Sequence, residues 1–264
     1  MVVIRALWAG LQGLVAGCVR LVMKAIKTLA LASLLGSAAC TMGDNDPAPT
    51  TTPPVGSASG SATPTAAKPA TCADVLAADP SAVDGDYTLY IGGDEAKPWQ
   101  AYCSGMGGSP AEYLPLVMVM GDHNFSQYTA NPITGWTDVR TSYLRVRIDP
   151  ATLKIDIGDQ TFATSTGLLY DNGHEVESMP FGVAMSCSAN AGVANIDLRG
   201  TSFALASQFS PWGASANGTA TVDATSQVLD LSGGGACGWV STVGTPADPI
   251  NFAHAWAIQL TYAP

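Results

Sequence analysis

The sequence predicts a mainly β or α+β domain of antiparallel sheets, opened by one short helix and held by two disulfides. Three observations carry this expectation. Between Thr71 and Pro264, short runs of β-branched and aromatic residues alternate with Gly- and Pro-marked turns, and no long amphipathic helix interrupts them. Four cysteines fall in that stretch, Cys72, Cys103, Cys187 and Cys237, and none forms a C-x-x-C, so they read as two bridges rather than a zinc ribbon or a redox pair. Ahead of them lies a leader of export type, which places the cysteines in an oxidising compartment. The 194 residues from 71 to 264 are enough to close a real hydrophobic core.

In chain order, residues 1–39 read as the leader, with Met23 as its start. Met23-Lys24-Ala25-Ile26-Lys27 is basic, Leu29–Leu35 is apolar, and Gly36-Ser37-Ala38-Ala39 supplies small residues before Cys40. A cysteine in that place resembles a bacterial lipobox, whose cysteine is cleaved and acylated. Val15-Ala16-Gly17-Cys18 is a second such arrangement; Cys40 is preferred because a linker follows it, whereas another leader follows Cys18. The apolar run falls short of the roughly 18–20 residues of a membrane span. An ordinary cleaved signal and an uncleaved anchor are the alternatives.

Residues 40–70 read as the lipidated cysteine and a disordered Pro/Thr/Ser/Gly/Ala linker, too poor in large apolar groups to offset ordering entropy. Asp44 and Asp46 within it read as solvated charges. The segment after Cys40 keeps seven of the eleven basic residues and all twenty-one acids, a net charge of −14. Such a surface repels nucleic acid and anionic lipid.

Residues 71–264 read as the globular domain. Thr71 caps a short helix, answered by Asp74 at the third helical position and ended by Pro80. Tyr87–Ile91 reads as a strand after a Gly85-Asp86 turn. Tyr143–Ile148 alternates so that Arg145 and Arg147 share one face and Leu144, Val146 and Ile148 the other. Asp149-Pro150 turns the chain into Leu153–Ile157, making a hairpin. Further strands are expected at Gly182–Cys187, Ala194–Leu198, Thr219–Val222, Gln227–Leu231 and Ala255–Tyr262.

Few motifs carry chemistry. His174-Glu175-Val176-Glu177-Ser178 lacks the second histidine of H-E-x-x-H and follows an Asn172-Gly173 turn signal. His123, His174 and His254 are scattered. Asp156, Asp159, Asp171 and Glu175 lack EF-hand spacing. Gly233–Gly238 matches G-x-G-x-x-G by letters, but a dinucleotide site needs a following helix. No G-x-S-x-G occurs. No catalytic residue, metal or cofactor is therefore assigned. Of Trp99, Trp136, Trp212, Trp239 and Trp256, Trp136 is the candidate binding residue, because its stretch Asn131–Thr141 is polar and an exposed indole stacks on sugars or anchors protein interfaces.

Cys72-Ala73-Asp74-Val75-Leu76, Asp84–Ile91 and Ala101-Tyr102-Cys103-Ser104-Gly105-Met106 resemble the opening of a GON domain, the C-terminal module of ADAMTS-type metalloproteases. Glu112-Tyr113-Leu114, Asn124-Phe125-Ser126, Gln160–Ala163, Ile196–Thr201 and Cys237-Gly238 extend the resemblance over roughly 72–240. The opening also resembles a fibrinogen-like domain, in which the two matching cysteines bond to each other. The resemblance therefore implies Cys72–Cys103, and parity then leaves Cys187–Cys237. It further implies a non-catalytic extracellular module. The expected function is that of an exported, lipid-anchored surface protein binding a protein or glycan and no nucleic acid. The alternatives are a hydrolase or accessory module of metalloendopeptidase or zinc type, suggested only by the association with ADAMTS proteases, and a structural envelope lipoprotein.

Overall fold

The computed structural model describes residues 67–131, 134–213, 217–243 and 257–264. Cys18, Cys40, the leader, the linker to residue 66, His254 and Trp256 lie outside the described residues.

One α-helix occurs among them, α1 (Cys72–Ala78). Its capping box is the expected one: Asp74 N donates to Thr71 Oγ1 (3.1 Å), and Thr71 N donates to Asp74 Oδ2 (2.9 Å). The strands follow. The first six are β1 (Gly85–Tyr90), β2 (Pro98–Ser104), β3 (Ala111–Pro115), β4 (Phe125–Thr129), β5 (Val139–Tyr143) and β6 (Arg145–Asp149). Next come β7 (Lys154–Asp156), β8 (Ala163–Thr166), β9 (Leu169–Asp171), β10 (His174–Val176), β11 (Ala184–Ser186) and β12 (Gly192–Asp197). The last are β13 (Phe203–Leu205), β14 (Phe209–Trp212), β15 (Gly218–Val222), β16 (Val228–Gly233), β17 (Gly238–Thr242) and β18 (Ala257–Tyr262).

They form two large sheets. The first is antiparallel, in the order β1-β2-β3-β6-β7-β18-β13. The second runs β14-β17-β11-β4-β12-β16-β15, with β5 and β8 added beside β4. Its single parallel pair is β4 with β11. β4 divides one edge: Phe125 and Ser126 pair with β12, whereas Gln127–Thr129 pair with β11. Gly192 makes the division possible, since a Cβ there would lie 2.0 Å from the Met185 carbonyl oxygen.

Two local expectations are corrected. Gly85-Asp86 is not a turn but the first part of β1, where Gly85 pairs with Cys103; the turn precedes it, closed by Ala82 N donating to Asp79 O at 3.0 Å, and Asp84 then accepts from Met106 N at 2.8 Å, beyond the end of β2. Tyr143–Ile148 is not one strand. The chain leaves the second sheet after Tyr143 and enters the first at Arg145. Leu144 is the joint, donating to Phe162 O and accepting from Leu116 N, and it is 49% exposed rather than buried with Val146 and Ile148. The hairpin β6–β7 forms as expected, with Asp149 opposite Lys154.

Both sheets feed one contiguous core. Leu89, Trp99, Ile148, Ile155, Phe203 and Ile258 come from the first, and Tyr128, Val139, Ala184, Ile196, Leu229 and Val240 from the second. Trp99 meets Phe203 edge-on at 5.4 Å, a favoured aromatic geometry. The two disulfides are Cys72–Cys103 and Cys187–Cys237, as the resemblance implied. The first fixes α1 to β2; the second fixes the turn before β17 to the end of β11.

Candidate binding site

The segment after β4 makes a short excursion and returns into β5. Asp138 closes it: Oδ1 accepts from Ala130 N (2.8 Å) and Oδ2 from Gln127 Nε2 (3.1 Å). The returning chain is pinned to the approach to β9, because Thr137 N donates to Leu168 O (3.0 Å) and Leu168 N donates to Thr137 Oγ1 (2.9 Å). Gly167 permits this contact. Its φ is +92°, and a Cβ there would sit 1.7 Å from the Asp138 carbonyl oxygen.

The result brings Trp136 beside Tyr170. Their ring centroids are 6.1 Å apart and the planes differ by 18°. Trp136 is 38% exposed and Tyr170 is 51% exposed, so both offer apolar surface to solvent. They border a recess of about 170 Å³ whose other walls include Tyr128, Leu169, Asn131, Asp171 and Cys187. The disulfide fixes that wall. The Tyr128 hydroxyl is 2.7 Å from Cys187 Sγ, and Asp171 Oδ1 is 3.9 Å from it. The glycine-rich turn carrying Cys237 seats against β11: a Cβ on Gly234 would lie 2.5 Å from Ser186. Gly233–Gly238 is thus a turn into strand β17, with no helix to receive a phosphate.

Among the described residues of the lining, Asp171 is the one carboxylate, and the others are aromatic, apolar or neutral polar groups. Asp171, Cys187 and Cys237 are also the one cluster of metal-ligand type among the described residues. Both sulfurs are bonded to each other, so neither is a thiolate ligand.

A second polar cluster lies on β12. The Asp197 side chain is fully buried, and Arg199 donates to it through Nε (2.9 Å) and Nη2 (2.5 Å). His123 Nδ1 lies 3.0 Å from Asp197 Oδ2, close enough to pair in charge but not aligned as a hydrogen bond. Burial alone would raise the Asp197 pKa; the hydrogen bonds and charge of Arg199, with His123, outweigh it and hold the carboxyl below the ordinary range. Asn124 is buried beside this cluster. Its Nδ2 donates to Met118 O and Asp197 O (both 2.8 Å), and its Oδ1 accepts from Asp197 N (2.9 Å).

The remaining sequence candidates disperse. His174 and Glu175 lie in strand β10 of the β9–β10 hairpin, not on the helix that a zinc H-E-x-x-H requires. Asp156 accepts from Gly158 N, and Asp159 faces the Tyr113 hydroxyl and Arg147. Trp99 is core, and Trp212 and Trp239 are half-buried cross-strand neighbours. Sequence reasoning weighed Asp171 only as a calcium ligand beside Asp156, Asp159 and Glu175, and it did not single out Tyr170 or Gly167. The alternation of buried Leu169 with exposed Tyr170 just before Asn172-Gly173 was the available signal.

Residues 134–245 match the family model of the GON domain. The match spans Trp136, Tyr170 and both cysteines of the Cys187–Cys237 bridge; the opening at 72–133, read as part of the same resemblance, lies outside it. No curated protein and no solved structure matches the chain significantly.

Proposed function

We propose that this chain, which carries a GON domain, is an exported protein tethered to a bacterial membrane through Cys40, and that its globular domain, 71–264, is a non-catalytic binding module for an extracellular or envelope protein or glycan. One observation carries the binding reading: Trp136 and Tyr170 lie nearly parallel and exposed at the rim of a recess lined in part by Cys187 of the Cys187–Cys237 bridge. Burying such rings in a core would stabilise the fold, so leaving two of them at the surface on a rigid frame suits recognition. The two bridges and the net charge of −14 after Cys40 fit an oxidising, extracytoplasmic setting without nucleic acid.

The test has two arms. Fractionation of cells carrying Cys40→Ser is expected to move the protein from the membrane to the soluble fraction, while Cys18→Ser leaves it membrane-bound. Retention of the purified Cys40→Ser chain on immobilised envelope and extracellular material is expected to fall with Trp136→Ala at unchanged melting temperature. Release by Cys18→Ser alone would move the anchor to that residue. Retention indifferent to Trp136 would refute the site.

A further inference from the structure

We infer that the connection between β3 and β4, through Val117, Met118 and Met120, seats the domain on the lipid surface that carries its tether; this rests on the Cys40 anchor proposed above and adds a second membrane contact to it. Exposure is the first argument. Residues 114–120 read Leu-Pro-Leu-Val-Met-Val-Met. Leu116 is buried and Val119 packs against the core, whereas Val117 is 58%, Met118 37% and Met120 82% exposed. Leu144, 49% exposed, adjoins them, since Leu116 N donates to Leu144 O. Apolar side chains grouped this closely mark an interaction or membrane site, unlike the single ones scattered over any surface.

The backbone supplies the second argument. Asn124 Nδ2 donates to Met118 O and Arg140 Nη2 to Gly121 O, both at 2.8 Å. Val117 lies over Gly200, where an added Cβ would come within 3.0 Å of its Cγ2. The domain thus holds the connection in place and satisfies two of its carbonyls, so that the side chains can enter the acyl boundary without carrying those groups in bare. Charge is the third. Of the acids that border the loop, Asp122 pairs with Arg140 at 3.0 Å and Asp197 with Arg199 and His123. The loop therefore meets the bilayer with its local charges balanced, although the chain after Cys40 carries −14.

The tether selects lipid as the occupant. Cys40 and Ala67, the first described residue, are 27 residues apart, which bounds the tether at about 95 Å. A domain of this size is about 40 Å across. The anchored domain stays within reach of the bilayer, and the loop can face it wherever the chain enters. The exposed groups also suit acyl chains: Met is flexible and adapts to irregular surroundings, whereas the anchors of protein interfaces favour Trp, Tyr and Arg. A tether makes a weak contact sufficient, because it raises the local concentration of the surface.

The experiment uses the Cys40→Ser chain, which has no lipid of its own, and vesicles of zwitterionic phosphatidylcholine with or without anionic phosphatidylglycerol. Flotation is expected to recover the chain with zwitterionic vesicles at lipid concentrations on the order of millimolar. Met120→Ser is expected to weaken this about fivefold, and joint replacement of Val117, Met118 and Met120 by Ser to abolish it, at unchanged melting temperature. Val83→Ser, at a site 70% exposed between α1 and β1, is expected to leave it unchanged. In Met120→Trp, indole emission is expected to move to shorter wavelength on adding vesicles and to be quenched by brominated acyl chains. Anionic lipid is expected to weaken binding, as the net acid of the domain requires. Binding that needs anionic lipid and vanishes in salt, binding unaffected by the triple replacement, or a chain that ignores vesicles and dimerises through these residues each overturns the inference. If vesicles are not bound while Cys40→Ser still releases the protein from cell membranes, the loop contact fails and the tether stands. If Cys40→Ser stays on membranes until Met120→Ser is added, the tether fails and the loop contact stands.

Discussion

Replacing Asn124 with alanine is expected to destabilise the domain by about 3–5 kcal/mol. The side chain is fully buried and makes three hydrogen bonds: to Met118 O, to Asp197 O and from Asp197 N. Each is worth about 1 kcal/mol net, and removing one partner leaves the other buried and unsatisfied, which costs about 1–3 kcal/mol where no water replaces it. Asn124 also adopts φ 48°, a left-handed conformation that costs alanine about 1–2 kcal/mol. Asn172→Ala separates the two effects. Asn172 has the same φ of 48° but is exposed, and its one side-chain bond runs to its neighbour Asp171. It is expected to lose only the backbone term. Urea unfolding with disulfides intact reads both: with m near 2–3 kcal/mol/M, Asn124→Ala should lower the midpoint by about 1.5 M and Asn172→Ala by about 0.5 M. Equal midpoints would refute the claim that the buried network, rather than backbone conformation, makes Asn124 matter.

The other predictions concern the bridges, the acid limb and the recess. Removing Cys187–Cys237, which spans 50 residues, should cost about 4 kcal/mol on the loop-entropy account, and removing Cys72–Cys103, spanning 31, slightly less; melting of paired Cys→Ser variants checks both, and only the former should also abolish ligand binding. Because the folded pKa of Asp197 is depressed, its stabilisation is present above the unfolded value near 3.9 and is lost as pH falls below it. Asp197→Asn should therefore be destabilised at pH 7 and show a shallower loss of stability below about pH 4 in urea titrations. Gly167→Ala, whose Cβ would collide with Asp138 O, should displace the 134–138 segment and abolish binding at Trp136, read by the shift of the Trp136 indole N–H resonance.

What could be read from the sequence was local. The Thr71–Asp74 box and the Asp149-Pro150 hairpin depend on neighbours a few residues apart, and both form as expected. Leu144 shows where local reading stops. Its alternation with Val146 and Ile148 is valid only within one sheet, and the switch of sheets is set by pairing to Leu116 and Phe162. The polar surroundings of Trp136 marked it as an exposed ring, and it is 38% exposed. Its partner Tyr170 was not so marked, because the two rings meet through a backbone contact between Gly167 and Asp138 that no periodicity encodes.

The Cys72–Cys103 bridge also determines how the domain bears a pull. Tension arriving from the N-terminal side reaches Cys72 and crosses directly to Cys103, so residues 73–102, including α1 and β1, lie in a slack loop and cannot be drawn out. If a ligand grips Trp136 as the opposing hold, the stretch under load shrinks to that between Cys103 and Trp136. That stretch contains β3 and β4, each paired on both edges. A pull applied between the N-terminal side of the domain and Trp136 therefore leaves both bridged loops, 73–102 and 188–236, out of the loaded path.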